Sequence, residues 1–145
     1  MNKIIRKIQY SEKVYRFDVE APLIAKSRKA GNFVIIRVDA NSERMPLTIA
    51  DADIEKGTIT LVVQKVGLSS TKLCNLNEGD EIHDVVGPLG NPTHIENFGT
   101  VLCAGGGVGV APMLPIIKAL KAAGNRVLSV IAGRSKDLVI MEDEV

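Results

Sequence analysis

The sequence predicts a small antiparallel β domain followed by the beginning of an α/β domain, and three observations carry that prediction. From Lys3 to Pro88, short segments alternate apolar and polar residues with a period of two, the pattern of half-buried antiparallel strands. From Gly99 onward the grammar changes to an apolar run, a glycine-rich turn, a helical pattern and a second apolar run, which is the order of a β-α-β unit. Between the two lies the turn-forming stretch Gly87-Pro88-Leu89-Gly90-Asn91-Pro92. The expected division is 1–96 and 97–145.

The first part contains six strand candidates: KIIRKIQYS from Lys3, VYRFDVEA from Val14, NFVIIRVDA from Asn32, PLTIAD from Pro46, GTITLVVQKVG from Gly57 and DEIHDVVGP from Asp80. Ser11-Glu12, the segment Ala21 to Lys29 and Ala30-Gly31 separate the first three. Strands this short and this numerous make a small barrel or sandwich. Before the last of them, Ser69, Ser70 or Thr71 is placed to cap a short helix over Ser69 to Leu76, ending near Asn77-Glu78-Gly79. In the second part, a strand over Gly99 to Ala104 leads to a helix from about Val110 to Ala123 with Leu114, Ile117 and Leu120 on one face. Gly124 then stops the helix, and a strand follows over Arg126 to Ala132.

Only Gly133-Arg134-Ser135 and ten further residues follow that strand. One crossover and two parallel strands cannot cover both faces of a parallel sheet, which is ordinarily buried on both sides. The second domain therefore reads as incomplete, with more chain or another molecule covering the strands at 99–104 and 126–132. Self-association through them is the corresponding expectation.

Composition excludes several partners. The chain has 145 residues, 46% of them hydrophobic, enough for a packed core. Its net charge is +1 with scattered Lys and Arg, its aromatic content is 3% and it has no Trp. These argue against nucleic acid and against an anionic membrane surface. An apolar run of about 18 residues and a charged-then-apolar leader are both missing, so neither a membrane span nor a signal peptide is expected and the cytoplasm is the default. Cys74 and Cys103 have no C-x-x-C companion, which leaves no metal site or disulfide framework and makes both small buried hydrophobes. His83 and His94 carry no partner motif, and Met113 and Met141 read as packing residues.

The stretch richest in chemistry is VLCAGGGVGVAPMLP, Val101 to Pro115. Gly105, Gly106, Gly107 and Gly109 would let a phosphate group approach backbone amides at the start of a helix, a cradle for anions. The spacing is not G-x-G-x-x-G, since Val110 or Pro112 falls where the third glycine would stand, and no Lys-Ser or Lys-Thr follows as in a P-loop. A tight strand-to-helix connection is the plainer reading. Three polar groupings precede it: Arg44-Met45-Pro46-Leu47-Thr48-Ile49, Gly67-Leu68-Ser69-Ser70-Thr71 and Gly87-Pro88-Leu89-Gly90. A guanidinium and a helix start rich in hydroxyls suit a diphosphate, although a surface Arg and an ordinary cap explain the same residues separately.

Taken in order, R-x-P-L-T-I, G-x-x-S-T, G-P-L-G and A-G-G-G-x-G-x-A-P on a frame of barrel strands resemble the ferredoxin-NADP reductase superfamily over essentially all 145 residues. The nearest pattern is the branch containing the electron-transfer subunit of dihydroorotate dehydrogenase and the FAD subunit of NADH-dependent ferredoxin-NADP oxidoreductase, or sulfide dehydrogenase. The resemblance implies a six-stranded antiparallel Greek-key barrel that binds FAD, followed by the start of an α/β nucleotide-binding domain. It places Arg44 on the flavin diphosphate, Pro46 and Leu47 along the isoalloxazine and the hydroxyl of Thr48 near flavin N5. It sets the backbone of Val62, Val63 and Gln64 at the flavin edge and ribityl chain, and Gly67, Ser69, Ser70 and Thr71 at the diphosphate. Gly105, Gly106, Gly107, Gly109, Ala111 and Pro112 would receive NAD(P)H, with Thr48 the catalytic residue.

The implied activity is a flavin-dependent electron-transfer subunit that moves hydride and electrons between NAD(P)H, FAD and an iron-sulfur partner subunit. Departures from the pattern are Pro46 and Leu47 where plant-type members stack a Tyr, and an Arg one residue farther from the hydroxyl. A [2Fe-2S] centre takes four thiolates, so with Cys74 and Cys103 alone it would belong to a C-terminal region missing from this chain. Arg134 after the second strand hints at NADP, equally explained as a surface residue, and NAD or NADP stays open. Two other readings stand beside this one: a non-catalytic barrel module that docks to a partner subunit, and an enzyme that holds a phosphorylated metabolite at the Gly105 turn.

Overall fold

Alternate residues of the first ninety positions point into a single core, and the strand pairing follows from that alternation. The computed structural model describes residues 2–145. Its strands are β1 (Asn2–Gln9), β2 (Val14–Glu20), β3 (Phe33–Arg37), β4 (Met45–Asp53), β5 (Thr58–Gln64), β6 (Glu81–Ile82) and β7 (Asp84–Leu89). They form one curled antiparallel sheet of seven strands in the order β6-β1-β2-β5-β4-β3-β7. Inside it Ile4, Phe17, Val19, Val34, Ile36, Ile49, Ile59, Leu61 and Ile82 are essentially without exposure.

The expected closed six-stranded barrel is corrected here. The segment from Asp80 to Pro88, read as one strand, divides at His83: Glu81 and Ile82 pair with β1, whereas Asp84 to Leu89 pair with β3 at the opposite end of the sheet order. At the break the His83 amide donates to the Val38 carbonyl at 3.2 Å, outside both ladders. One covalent segment thus spans the two edges of the sheet without a continuous hydrogen-bonded seam. A second difference is helix α1 (Pro22–Ser27), in a segment expected to be only a separator. Proline in the first turn costs no hydrogen bond, and Ile24 and Ala25 bury against the core.

β5 is buried on both sides from Thr58 to Val63, its polar Thr58 and Thr60 included. Ile59, Leu61 and Val63 face the barrel core, while Val62 joins Val14, Ala50, Val110, Ala111, Leu114, Ile140 and Met141 in an apolar seam outside it. This seam seats the C-terminal part of the chain against the barrel. Helix α2 (Leu68–Cys74) follows β5.

In the C-terminal part, β8 (Thr100–Gly106) and β9 (Arg126–Ala132) pair in parallel, with Thr100 opposite Arg126 and Gly106 opposite Ala132. A turn of 3-10 helix over Gly107–Gly109 leads into α3 (Val110–Ala122), within a residue of the expected helix, and Gly124 follows it at φ 93° as a helix-stopping glycine does. Leu114, fully buried, contributes about 1.5–3 kcal/mol by its removal from water. Asn125 ties the pieces together. Its carbonyl oxygen accepts from the Phe98 and Gly99 amides at 2.7 and 3.1 Å, and its amide donates to the Glu96 and Leu120 carbonyls at 2.8 and 2.9 Å.

Helix α3 covers one face of the parallel pair through Cys103, Met113, Ile117 and Leu120. On the other face Leu102, Leu128 and Val130 stand exposed, as expected for a sheet with a single crossover. Among the described residues no helix is long and apolar enough to cross a membrane, and no cluster of three or more His, Cys, Asp or Glu is placed to hold a metal ion.

Candidate functional site

Two clefts gather most of the residues singled out in the sequence. The first, about 380 Å³, lies between the start of β4, the end of β5 and the start of α2. It is lined by Pro46, Leu47, Val63, Gln64, Gly67, Ser69 and Ser70, all expected at a site, and by Glu43, Met45, Val66 and Leu68, which were not. Antiparallel pairing explains the convergence, because β4 runs beside β5 and brings the segment after Arg44 alongside the chain entering α2. Val66 and Leu68 are 75% and 78% exposed, an apolar lip that only burial against something else would satisfy. The residues flanking Gly67 were the available signal, since two large apolar side chains at an exposed helix start have no packing role.

The second cleft, about 760 Å³, opens between the β1–β2 turn and the glycine turn. Gln64, Gly106 and Gly107 line it, together with Ser11, Glu12, Lys13, Val108, Gly133, Arg134, Leu138 and Ile140. Gln64, the last residue of β5, lines both clefts. They are adjoining spaces.

The glycines divide by what surrounds them. A Cβ at Gly105 would come within 3.1 Å of the Met113 sulfur and 3.3 Å of the Gly109 carbonyl oxygen, so packing against α3 leaves little room for one there. Gly107 adopts φ +56°, a conformation costly for other residues, yet a Cβ there or at Gly67 or Gly109 would meet nothing within 4 Å. At Gly67 and Gly107 the open space belongs to the cleft side. A nucleotide's phosphate groups fit such bare backbone, and the residues present suit a dinucleotide: exposed amides, a guanidinium and apolar walls.

Several expected residues are placed elsewhere. None of Ser69, Ser70 and Thr71 is the N-cap of α2: Gly67 is, and Ser70 stands three residues in, buried. Its hydroxyl accepts from the amides of Val66 and Gly67 at 2.9 Å each and donates to the Gly67 carbonyl at 3.2 Å, so it holds the turn in shape. Thr71 faces neither cleft. The side chains of Val62 and Ala111 pack into the seam beside α3, 7% and 3% exposed, and leave at most their backbone for a ligand. Arg44, exposed just before β4, and Thr48, half-buried on β4 opposite Phe33, do not line either cleft wall, and neither do Gly105, Gly109 and Pro112. Among the described residues no carboxylate pairs with Arg44, which stays available beside the first cleft. Cys74 and Cys103 are buried and unpaired, as expected, and burial pushes both thiols above the usual range, with Lys65 and Lys7 partly countering this at Cys74.

Comparison with known proteins finds relatives over nearly the whole chain. No family model matches it. Among curated relatives, the dihydroorotate dehydrogenase B (NAD(+)) electron transfer subunit homolog of Thermotoga maritima is 48% identical over 144 residues, covering 99% of this chain and 51% of its own length. The electron transfer subunit of Fusobacterium nucleatum dihydroorotate dehydrogenase B is 30% identical over 143 residues, covering 94% of this chain and 55% of its own. A solved structure of NADH-dependent reduced ferredoxin-NADP oxidoreductase superposes with TM-score 0.95 at 48% identity, over 99% of this chain and 52% of that one. The chain is similar to the ferredoxin-NADP reductase superfamily. It spans about half the length of the curated relatives it matches. Ferredoxin-NADP+ reductase from Plasmodium falciparum, with TM-score 0.81 at 18% identity over 99% of this chain and 62% of its own, shares the fold.

Proposed function

We propose that this chain is the FAD-binding and first nucleotide-binding portion of an electron-transfer subunit, with FAD in the first cleft and NAD(P)H at the second. The observation that carries this reading is Gln64, which lines both clefts and so forms a wall common to the two. Two cofactors that exchange a hydride must touch, and adjoining spaces with phosphate-accepting backbone at each serve that need. Its relatives' names support the electron-transfer class.

FAD, when bound, supplies the chemistry of accepting a hydride and releasing single electrons; the protein supplies position and electrostatics. Pro46 and Leu47 would hold the ring by aliphatic contact, and Arg44 would turn its guanidinium onto the diphosphate together with the amides at the start of α2. The hydroxyl of Thr48 would offer a hydrogen bond toward the reacting edge. The amides of the Gly105–Gly109 turn would take the nucleotide phosphates, with Ser11, Lys13 and Arg134 on the opposite wall. Electrons would pass to an iron-sulfur partner outside this chain, and the bare face of β8 and β9 would be covered by that further protein or by a second copy. The division into a barrel domain, 1–96, and a nucleotide-binding part, 97–145, is part of the same proposal.

The test is direct because the chain has no Trp and flavin signals stand alone. Purified protein titrated with FAD should show flavin absorbance and quenched flavin fluorescence at one equivalent; a chain that takes up no FAD overturns the reading and favours a docking module. Thr48→Ala should keep FAD bound and slow its reduction by NAD(P)H about 10²-fold, within the range of a positioned hydrogen-bonding group. Reduction at the wild-type rate would remove Thr48 from the mechanism.

A further inference from the structure

The segment after β9 crosses the second cleft and then returns to the barrel. Leu138 and Ile140 line that cleft, and Ile140 and Met141 bury in the seam between α3 and the barrel, 3% and 5% exposed. The crossing is close: a Cβ at Gly133 would lie 3.1 Å from the Leu138 carbonyl and the Val139 nitrogen, so this strap rests directly on the backbone of the cleft's far wall.

Its far end is fastened by charge. Arg16 on β2, its side chain only 12% exposed, donates from Nη1 to a carboxylate oxygen of Glu144 and from Nε to Oδ1 of Asp18 at 3.1 Å. The Tyr10 hydroxyl donates to the second Glu144 oxygen at 3.2 Å and accepts from Arg16 at 3.3 Å. Thr60 adds a hydrogen bond to Asp18 at 2.7 Å. Between the fastening and the cleft, Met141 stands at φ 57°, in the left-handed region a residue with a Cβ avoids, with its carbonyl accepting from the amides of Glu144 and Val145 at 3.0 and 3.1 Å. A disfavoured backbone conformation persists where its surroundings hold it, and here the holding groups belong to the barrel.

We propose that Arg16 and Tyr10 are positioning residues for the second cleft: by gripping Glu144 they keep the 138–141 strap pressed over Gly133, and so set the cleft's shape from the barrel side. This rests on the reading of that cleft as the NAD(P)H site. None of the three residues lines either cleft, so they act through the strap alone.

Glu144→Gln tests this, since it removes the charge and keeps the shape, whereas replacing Arg16 would strand Asp18 and endanger folding. In the FAD-loaded protein, hydrogen exchange at Leu138 to Met141 should rise about tenfold as the strap opens locally. NADH or NADPH affinity should fall about fivefold, the scale of a partly exposed ion pair, while flavin content at purification stays at the wild-type level. Tyr10→Phe added to the Glu144→Gln variant should cost nothing more in nucleotide affinity, because both act on one fastening. Unchanged exchange overturns the proposal. Faster exchange with wild-type nucleotide affinity also overturns it, reducing the fastening to a brace. Failure of the underlying reading looks different: the unaltered protein would bind neither NADH nor NADPH, and the positioning role would fall with it.

Discussion

The barrel and the β8–α3–β9 unit both rest on apolar strands and reach opposite states. In the barrel, Phe17, Val19, Val34, Ile59 and Leu61 reach zero exposure because a curled antiparallel sheet supplies its own opposite wall. In the parallel pair, Leu102, Leu128 and Val130 remain 65%, 44% and 52% exposed because one helix covers one face only. The lesson concerns topology rather than hydrophobicity. An antiparallel sheet can finish its own core, whereas a parallel one depends on crossovers, and here a single crossover is present. Stability should accordingly reside in the barrel and recognition in the unit beside it.

Four measurements break or sharpen that contrast. The largest effect is expected at Phe17: its replacement by Ala should cost about 3–5 kcal/mol in denaturant unfolding, as truncation of a buried aromatic does, and should abolish flavin uptake. A loss under about 1 kcal/mol would show that the barrel is not the stable element. Next come the two cysteines, one in each region. Burial holds both thiols protonated, so folding favours the neutral form. That contribution is present below the ordinary thiol pKa of about 8.5 and fades as the pH rises through the raised value, so stability should decline on the alkaline side. Under native conditions a thiol reagent should modify Cys103 well before Cys74, because local opening of the half-covered unit comes first. Equal rates would argue for one cooperative unit. The smallest effect belongs to the bare face: Leu128→Ser should change stability by less than about 0.5 kcal/mol while weakening any self-association seen by sedimentation.

The sequence made the β-α-β unit legible almost to the residue, because three glycines, an apolar stripe at Leu114, Ile117 and Leu120, and Gly124 each have a local physical meaning. The barrel strands were legible from their period of two. Less legible was the division at His83, since nothing local marks where one extended segment leaves one neighbour and joins another. Ser70 was misplaced for a related reason: a cap and a third helical residue that reaches back have the same composition, and only the backbone of Gly67 distinguishes them. At the candidate site, the order of motifs singled out residues that line the two clefts, but side-chain direction decided that Val62 and Ala111 face the seam. The Arg16–Glu144 fastening joins residues 128 positions apart and has no signature in either neighbourhood.

Asn125 shows how much can depend on one small carboxamide. Four main-chain groups from the incoming segment and the end of α3 all draw on it, two needing an acceptor and two needing a donor. Aspartate, its isostere, would leave two carbonyls facing a negative charge; leucine would abandon all four groups; glutamine would overshoot them by a methylene. The passage from barrel to glycine turn is thus keyed by a valence pattern that a single residue type satisfies.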